Sequence, residues 1–185
     1  MVRLACFVNR VYPVFVLLMK RIRLSKRLIA LAELIRKDAS VADIGTDHGY
    51  LPVFLAQAGI AKRIIASDIS AASLSAAQRS AAEFDVSEAI TFLVASGLDG
   101  VTPNEADTIV IAGMGGETIL SILENAPWTN NRGVTLILQP QSKIDLLCRF
   151  LYDSGYEIKQ TKSVHEKGKY YTVILAVGDC GSSPQ

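Results

Sequence analysis

The chain has 185 residues, 50% of them hydrophobic, and a mean hydropathy of +0.29. That suits one domain with a buried core and excludes a disordered chain. The formal net charge of +1 gives the whole chain no nucleic-acid footprint. Cys6, Cys148 and Cys180 lie far apart and, with two histidines, fit no metal-ligand spacing, so reduced thiols in a cytoplasmic protein and no metal site are expected.

The charge is uneven along the chain. Residues 1–37 hold nine of the nineteen Lys and Arg and one acid, Glu33. Lys20, Arg21, Arg23, Lys26 and Arg27 form a dense group that either contacts phosphates or makes a solvated basic helix start. Val11 to Met19 is apolar but too short to span a bilayer, and no small-x-small cleavage site comes after it. Residues 1–18 therefore read as an upstream extension with the natural start at Met19, and no membrane association is expected. Apolar residues at Leu24, Leu28, Leu31, Leu34 and Ile35 predict an amphipathic helix over Leu24 to Lys37.

The stretch VADIGTDHGYLP, from Val41 to Pro52, organises the rest of the chain. Val41 to Ile44 reads as a buried strand stopped by Gly45, Thr46 to Gly49 as a polar turn, and Leu51 to Ala58 as a helix. Strand, glycine turn and helix make the first unit of a nucleotide-binding α/β sheet, whose ligands sit at the carboxyl ends of the strands. Glycine lets a ligand approach the backbone where a Cβ would block it. Within D-x-G-x-D-x-G, Asp47 stands where a pyrophosphate loop needs its second glycine, which disfavours a dinucleotide and suits a cationic sulfonium. Asp43 is placed to hold an ammonium. Asp68, ending the second strand Arg63 to Asp68, is placed to accept ribose hydroxyls. These features favour S-adenosylmethionine over a dinucleotide; an α/β turn with buried polar caps and no ligand is the plainer alternative.

The alternation continues. Ala71 to Phe84 is a helix with Ser70 as N-cap, Ile90 to Ala95 a third strand before the Ser96-Gly97-Leu98 turn, and Asp107 to Ala112 an apolar fourth strand ending in Gly113-Met114-Gly115-Gly116. Next come a helix over Glu117 to Glu124, a loop over Asn125 to Gly133, a fifth strand over Val134 to Leu138 and a helix over Ile144 to Ser154. Tyr156 to Thr161 and Tyr170 to Val177 are two strands joined by a charged loop, Val164 to Lys169. Five strands alternating with helices imply right-handed crossovers and a parallel sheet. The final pair implies an antiparallel edge. The expectation is a Rossmann-like, seven-stranded, mostly parallel α/β sheet with an antiparallel final strand, over residues 19–178, and a polar tail at 179–185.

Four motifs in order, LSKRL from Leu24, ADIGTDHGYLP from Ala42, DTIVIAGMGG from Asp107 and LILQP from Leu136, resemble the bacterial tRNA (adenine(22)-N1)-methyltransferases of the TrmK family. The resemblance covers Leu24 to Val177. It implies S-adenosylmethionine as cofactor, tRNA as partner and methyl transfer to adenine N1. It places Asp43, Gly45, Thr46, Asp47, His48, Gly49 and Tyr50 at the cofactor's methionine end, Asp68 and Ile69 at the ribose, and Ser96, Gly97 and Leu98 along its adenine. By the same resemblance Gly113, Met114, Gly115 and Gly116 would form the catalytic loop, with the Asp47 carboxylate as a further catalytic group. Gln139, Pro140 and Tyr171 would then face the target base, and the five basic residues Lys20, Arg21, Arg23, Lys26 and Arg27 are the candidates for phosphate contacts with tRNA. His48 is read as pocket lining and not as a base. Ser96, Gln141 and Thr172 depart from the family pattern. Members continue into a C-terminal helical arm that helps engage tRNA, whereas this sequence stops after GDCGSSPQ. A truncated chain or a domain with less RNA-binding surface is the expectation there. A methyltransferase acting on a small molecule or protein, and an inactive cofactor-binding remnant, remain alternatives, and oligomeric state is open.

Overall fold

The computed structural model describes residues 20–179, so the extension over 1–18 and nearly all of the tail lie outside the described residues. Seven strands form one sheet in the order β3-β2-β1-β4-β5-β7-β6. They are β1 (Ala39–Ile44), β2 (Ala61–Asp68), β3 (Thr91–Val94), β4 (Thr108–Met114), β5 (Thr135–Pro140), β6 (Tyr156–Glu166) and β7 (Lys169–Gly178). β1 to β5 pair in parallel, and β7 lies antiparallel between β5 and β6. The described helices are α1 (Lys26–Ala32), α2 (Tyr50–Ala58), α3 (Ala71–Glu83), α4 (Gly116–Glu124) and α5 (Ile144–Asp153).

Strand alternation divides the core between the two faces. In β4, Ile109 and Ile111 pack with Leu136 and Leu138 of β5 against α4 and α5. Val110 and Ile137 point the other way, into a second cluster with Leu31, Val41 and Leu55. Strands buried on both sides read as unbroken apolar runs, which is why β4 and β5 were legible from composition. The chain leaves β1 toward β2 and β3, then returns on the other side of β1 as β4, so the crevice opens where β1 and β4 part.

Three elements depart from the sequence expectation. α1 is half the predicted length: Ser25 Oγ caps it by accepting from Leu28 N at 3.4 Å. The chain tightens after Glu33, with Leu34 N donating to Leu31 O, and turns into β1 through Asp38 at φ 61°. β4 does not stop at Ala112; it runs on through Gly113 to Met114, with an irregularity in its pairing to β5 between Ala112 and Met114. The expected charged loop from Val164 to Lys169 is mostly strand, since β6 and β7 pair out to Glu166 and Lys169. Their turn is the two residues Lys167 and Gly168, both at positive φ (48° and 76°), the geometry that matches the twist of a tight hairpin.

Candidate active site

Gly45 leaves β1 at φ 71°, and the amides of Gly45 and Thr46 both donate to Ser67 O, at 2.8 and 2.9 Å, clamping the turn to the end of β2. This turn packs Asp43 inside the strand end with only 6% of its surface exposed. Thr46 Oγ1 donates to Asp43 Oδ2 at 2.8 Å. Burial pushes the Asp43 carboxyl up from 3.8 to about 6; the Thr46 bond opposes this and the nearby Asp68 charge adds to it. A buried carboxylate facing a cleft, with a single hydroxyl partner among the described residues, suits a cationic ligand group.

Asp68 is held from below: Asp47 N donates to its Oδ2 at 3.1 Å and Ser70 N to its Oδ1 at 2.8 Å. These backbone donors fix the carboxylate at the cleft edge, where its remaining lone pairs suit hydroxyl donors. Asp47 itself sits at φ 52° with its side chain exposed, and His48 stacks on Tyr50 with ring centroids 5.4 Å apart. His48 Nε2 lies 3.9 Å from Asp47 Oδ1, an open surface contact with no built proton relay. Beyond Asp68 and the exposed Ile69, the Ser96-Gly97-Leu98 turn closes the far wall against Ile122 of α4.

All of these open into one cleft of about 1640 Å³. Pockets for a single small ligand run to about 1,000 Å³. The volume therefore leaves room for a second group beside a cofactor. At its other end the cleft is lined by Gly113, Met114, Arg23, Arg27, Gln141 and Tyr171. Met114 lies directly over Gly45, so close that any Cβ at position 45 would collide with its methyl. Arg27 is fixed from two sides: its Nη1 donates to Gln139 Oε1 at 2.7 Å, and its guanidinium carbon lies 5.6 Å from the centre of the Tyr171 ring.

Several expected site residues lie elsewhere. Gly49 is buried, and a Cβ there would come within 2.8 Å of Ala77 Cβ, so it serves the packing of α2 on α3. A Cβ at Gly116 would sit 2.5 Å from Lys143 O, so this glycine lets α4 approach the start of α5; Gly115, at the N-terminus of α4, faces Ser142 in the same junction. Gln139 and Pro140 are buried behind the cleft wall, where Gln139 Nε2 donates to Pro140 O at 2.9 Å; Gln139 acts by holding Arg27. In the basic group, Lys20 is salt-bridged to Glu83, and Arg21 and Lys26 are exposed away from the cleft, leaving Arg23 and Arg27 to line it. Sequence reasoning missed Glu117, Trp128, Glu166 and Lys167, which also line the cleft. Glu117 in the first turn of α4 was the one with a visible signal. Among the described residues no cluster of three or more His, Cys, Asp or Glu is placed to hold a metal, and no helix is long and apolar enough to cross a membrane.

A parallel sheet with a reversed edge pair, an acidic glycine turn after β1 and an acid ending β2 define a nucleoside-binding methyltransferase domain, and residues 24–174 match the family model described as a methyltransferase domain. A curated relative, the tRNA (adenine(22)-N1)-methyltransferase of Bacillus subtilis, is 35% identical over 158 residues, 85% of this chain and 66% of its own length. TrmK from M. capricolum, solved in complex with S-adenosyl-homocysteine, superposes with a TM-score of 0.76 at 30% identity over 88% of this chain and 72% of that one. A Streptococcus pneumoniae protein solved with S-adenosyl-L-methionine gives 0.80 at 32% identity over 88% and 76%. The chain belongs to the TrmK family of methyltransferases, and it spans about two thirds of the length of the Bacillus subtilis relative.

Proposed function

We propose that this chain transfers a methyl group from S-adenosyl-L-methionine to N1 of an adenine in tRNA, at adenine 22 as in the name of the Bacillus subtilis relative. The observation that carries this reading is the cleft's two unlike ends: buried and fixed carboxylates at β1 and β2, and an Arg-lined, aromatic end beyond Gly113. The first suits a cationic amino acid joined to a nucleoside, and the second suits the phosphate and base of a nucleotide. A reaction on tRNA agrees with a cytoplasmic enzyme.

Asp43 would hold the ammonium of the methionine moiety, Asp68 the ribose hydroxyls, and the Ser96–Leu98 turn the adenine of the cofactor. When bound, the cofactor supplies a methyl group on a sulfonium leaving group, and adenine N1 needs no general base because its lone pair lies in the ring plane. The chain's part is therefore positioning. Met114 O accepts from Gln141 N at 2.8 Å and Gly115 O from Ile119 N at 3.0 Å, which fixes the loop, and Gly113 and Met114 are its residues that line the cleft. The exposed Asp47 carboxylate, which lines the cleft, would offset the positive charge that the methylated base acquires. N1 lies on the pairing edge, so the nucleotide must be unpaired or flipped out before it enters. Labelled S-adenosylmethionine, incubated with the protein and unmodified tRNA and followed by nucleoside analysis, is expected to give 1-methyladenosine; label in another nucleoside, or none, would refute the reading.

A further inference from the structure

We propose that Gln141 recognises the target adenine through its Hoogsteen edge, accepting from N6–H and donating to N7, so that N1 is left facing the methyl donor. This rests on the reading of the cleft as an adenine-N1 site. β1 and β4 are paired neighbours, Ile44 opposite Ile111, and Met114 at the end of β4 packs over Gly45, so the space beside Gly113 adjoins the cofactor turn. Gly113 has φ 81° and no side chain. The space a Cβ would take there is bracketed by two polar groups, Arg27 Nη1 at 3.3 Å and Gln141 Nε2 at 3.6 Å.

Of these two groups, only one can read an amino group. A guanidinium donates and never accepts, and the Arg27 Nη1 is already given to the buried Gln139. A carboxamide carries both a donor and an acceptor, the set required by adenine N7 and N6–H, and Gln is a standard bidentate partner for that edge. Guanine offers two acceptors there, so its O6 would meet the carboxamide oxygen and be repelled. The reaction itself rules out recognition through the pairing edge, because N1 has to remain free. Gln141 is well placed for this contact, since its backbone N is tied to Met114 O at 2.8 Å, while its side chain is exposed and lines the cleft. The pinned backbone fixes where the carboxamide starts without using it up.

The test compares kcat/KM on tRNA carrying adenosine or 7-deazaadenosine at the single target position. The wild-type protein is expected to lose about 3- to 10-fold on the 7-deaza substrate, the worth of the single N7 hydrogen bond that the substitution removes. Gln141→Ala is expected to be slow on adenosine and to lose nothing further on 7-deazaadenosine, with S-adenosyl-homocysteine affinity unchanged by calorimetry. Gln141→Glu, which can accept from N6–H but cannot donate to N7, should also lose the discrimination. Equal rates on the two substrates for the wild-type protein, or the same penalty in wild type and Gln141→Ala, would overturn the assignment while leaving the methyltransferase reading intact. Absence of transfer to the adenosine tRNA would overturn both.

Discussion

Asp43 shows how one residue sets stability against function. Burial raises its carboxyl to about 6, so the ionised form is the costly one in the empty protein. A group raised in this way stabilises the fold fully below its ordinary 3.8, and that contribution is lost as pH rises through about 6. The loss amounts to about 3 kcal/mol for a shift of this size. Asp43→Asn is therefore predicted to raise the melting temperature of the cofactor-free protein at pH 7.5 while abolishing the further rise given by S-adenosylmethionine. A fall in melting temperature without cofactor would show that the carboxylate is not strained. Binding has the opposite pH sense, because a cation needs the ionised form: calorimetric affinity should be flat above about pH 7 and fall below 6, approaching tenfold per unit. Affinity that rises on acidification would remove Asp43 from the ammonium site.

Single residues also mark the limits of the sequence as a guide to the site. That Asp43, Gly45 and Asp68 line one cleft was legible because a strand, a glycine turn and an acid at the next strand's end set their positions locally. Gly49 and Gly116 carried the same letter for a different reason, helix packing, and a one-letter code does not say which neighbour stands opposite a missing Cβ. Arg27 and Gln139 are 112 residues apart, and their hydrogen bond exists only because α1 packs on β6 and β7, from where the Arg27 side chain reaches the end of β5. Local pattern has no access to such a pair.

Among the elements, the strands were read well because burial on both faces makes them unbroken apolar runs. Their ends were read less well, since hydrogen bonding carries β4 through Gly113 to Met114 and β6 to Glu166, past residues whose types suggest a loop. The consequence for α4 is testable. Its first residue, Gly116, lies against the backbone of Ser142 and Lys143, so Gly116→Ala forces the α4–α5 junction apart and should destabilise by about 1–3 kcal/mol, as overpacking does. Cofactor affinity measured well below the melting point should stay within a few-fold of wild type, because Gly116 does not line the cleft. Met114→Ala, by contrast, changes the cleft wall itself and is predicted to lower kcat more than cofactor affinity; the reverse pattern would mean that Met114 serves the cofactor side.

For the molecule as a whole, a net charge of +1 hides an organised surface. Lys20 is neutralised by Glu83, while Arg23 and Arg27 stand at the cleft wall with Lys167 of the β6–β7 turn. If tRNA enters over this end, Arg23→Ala should weaken tRNA binding and lower the slope of log affinity against log salt by about one, whereas Lys20→Ala should leave both nearly unchanged. Everything in the proposed reaction depends on the cleft presenting one unpaired adenine by its N1 to the methyl donor. Reverse-transcriptase extension across an unmodified tRNA, before and after incubation with the protein and S-adenosylmethionine, reads this out, since a methyl on N1 blocks pairing. A new stop beside adenine 22 that requires both protein and cofactor is expected. Full-length extension accompanied by methyl incorporation elsewhere would contradict N1 transfer.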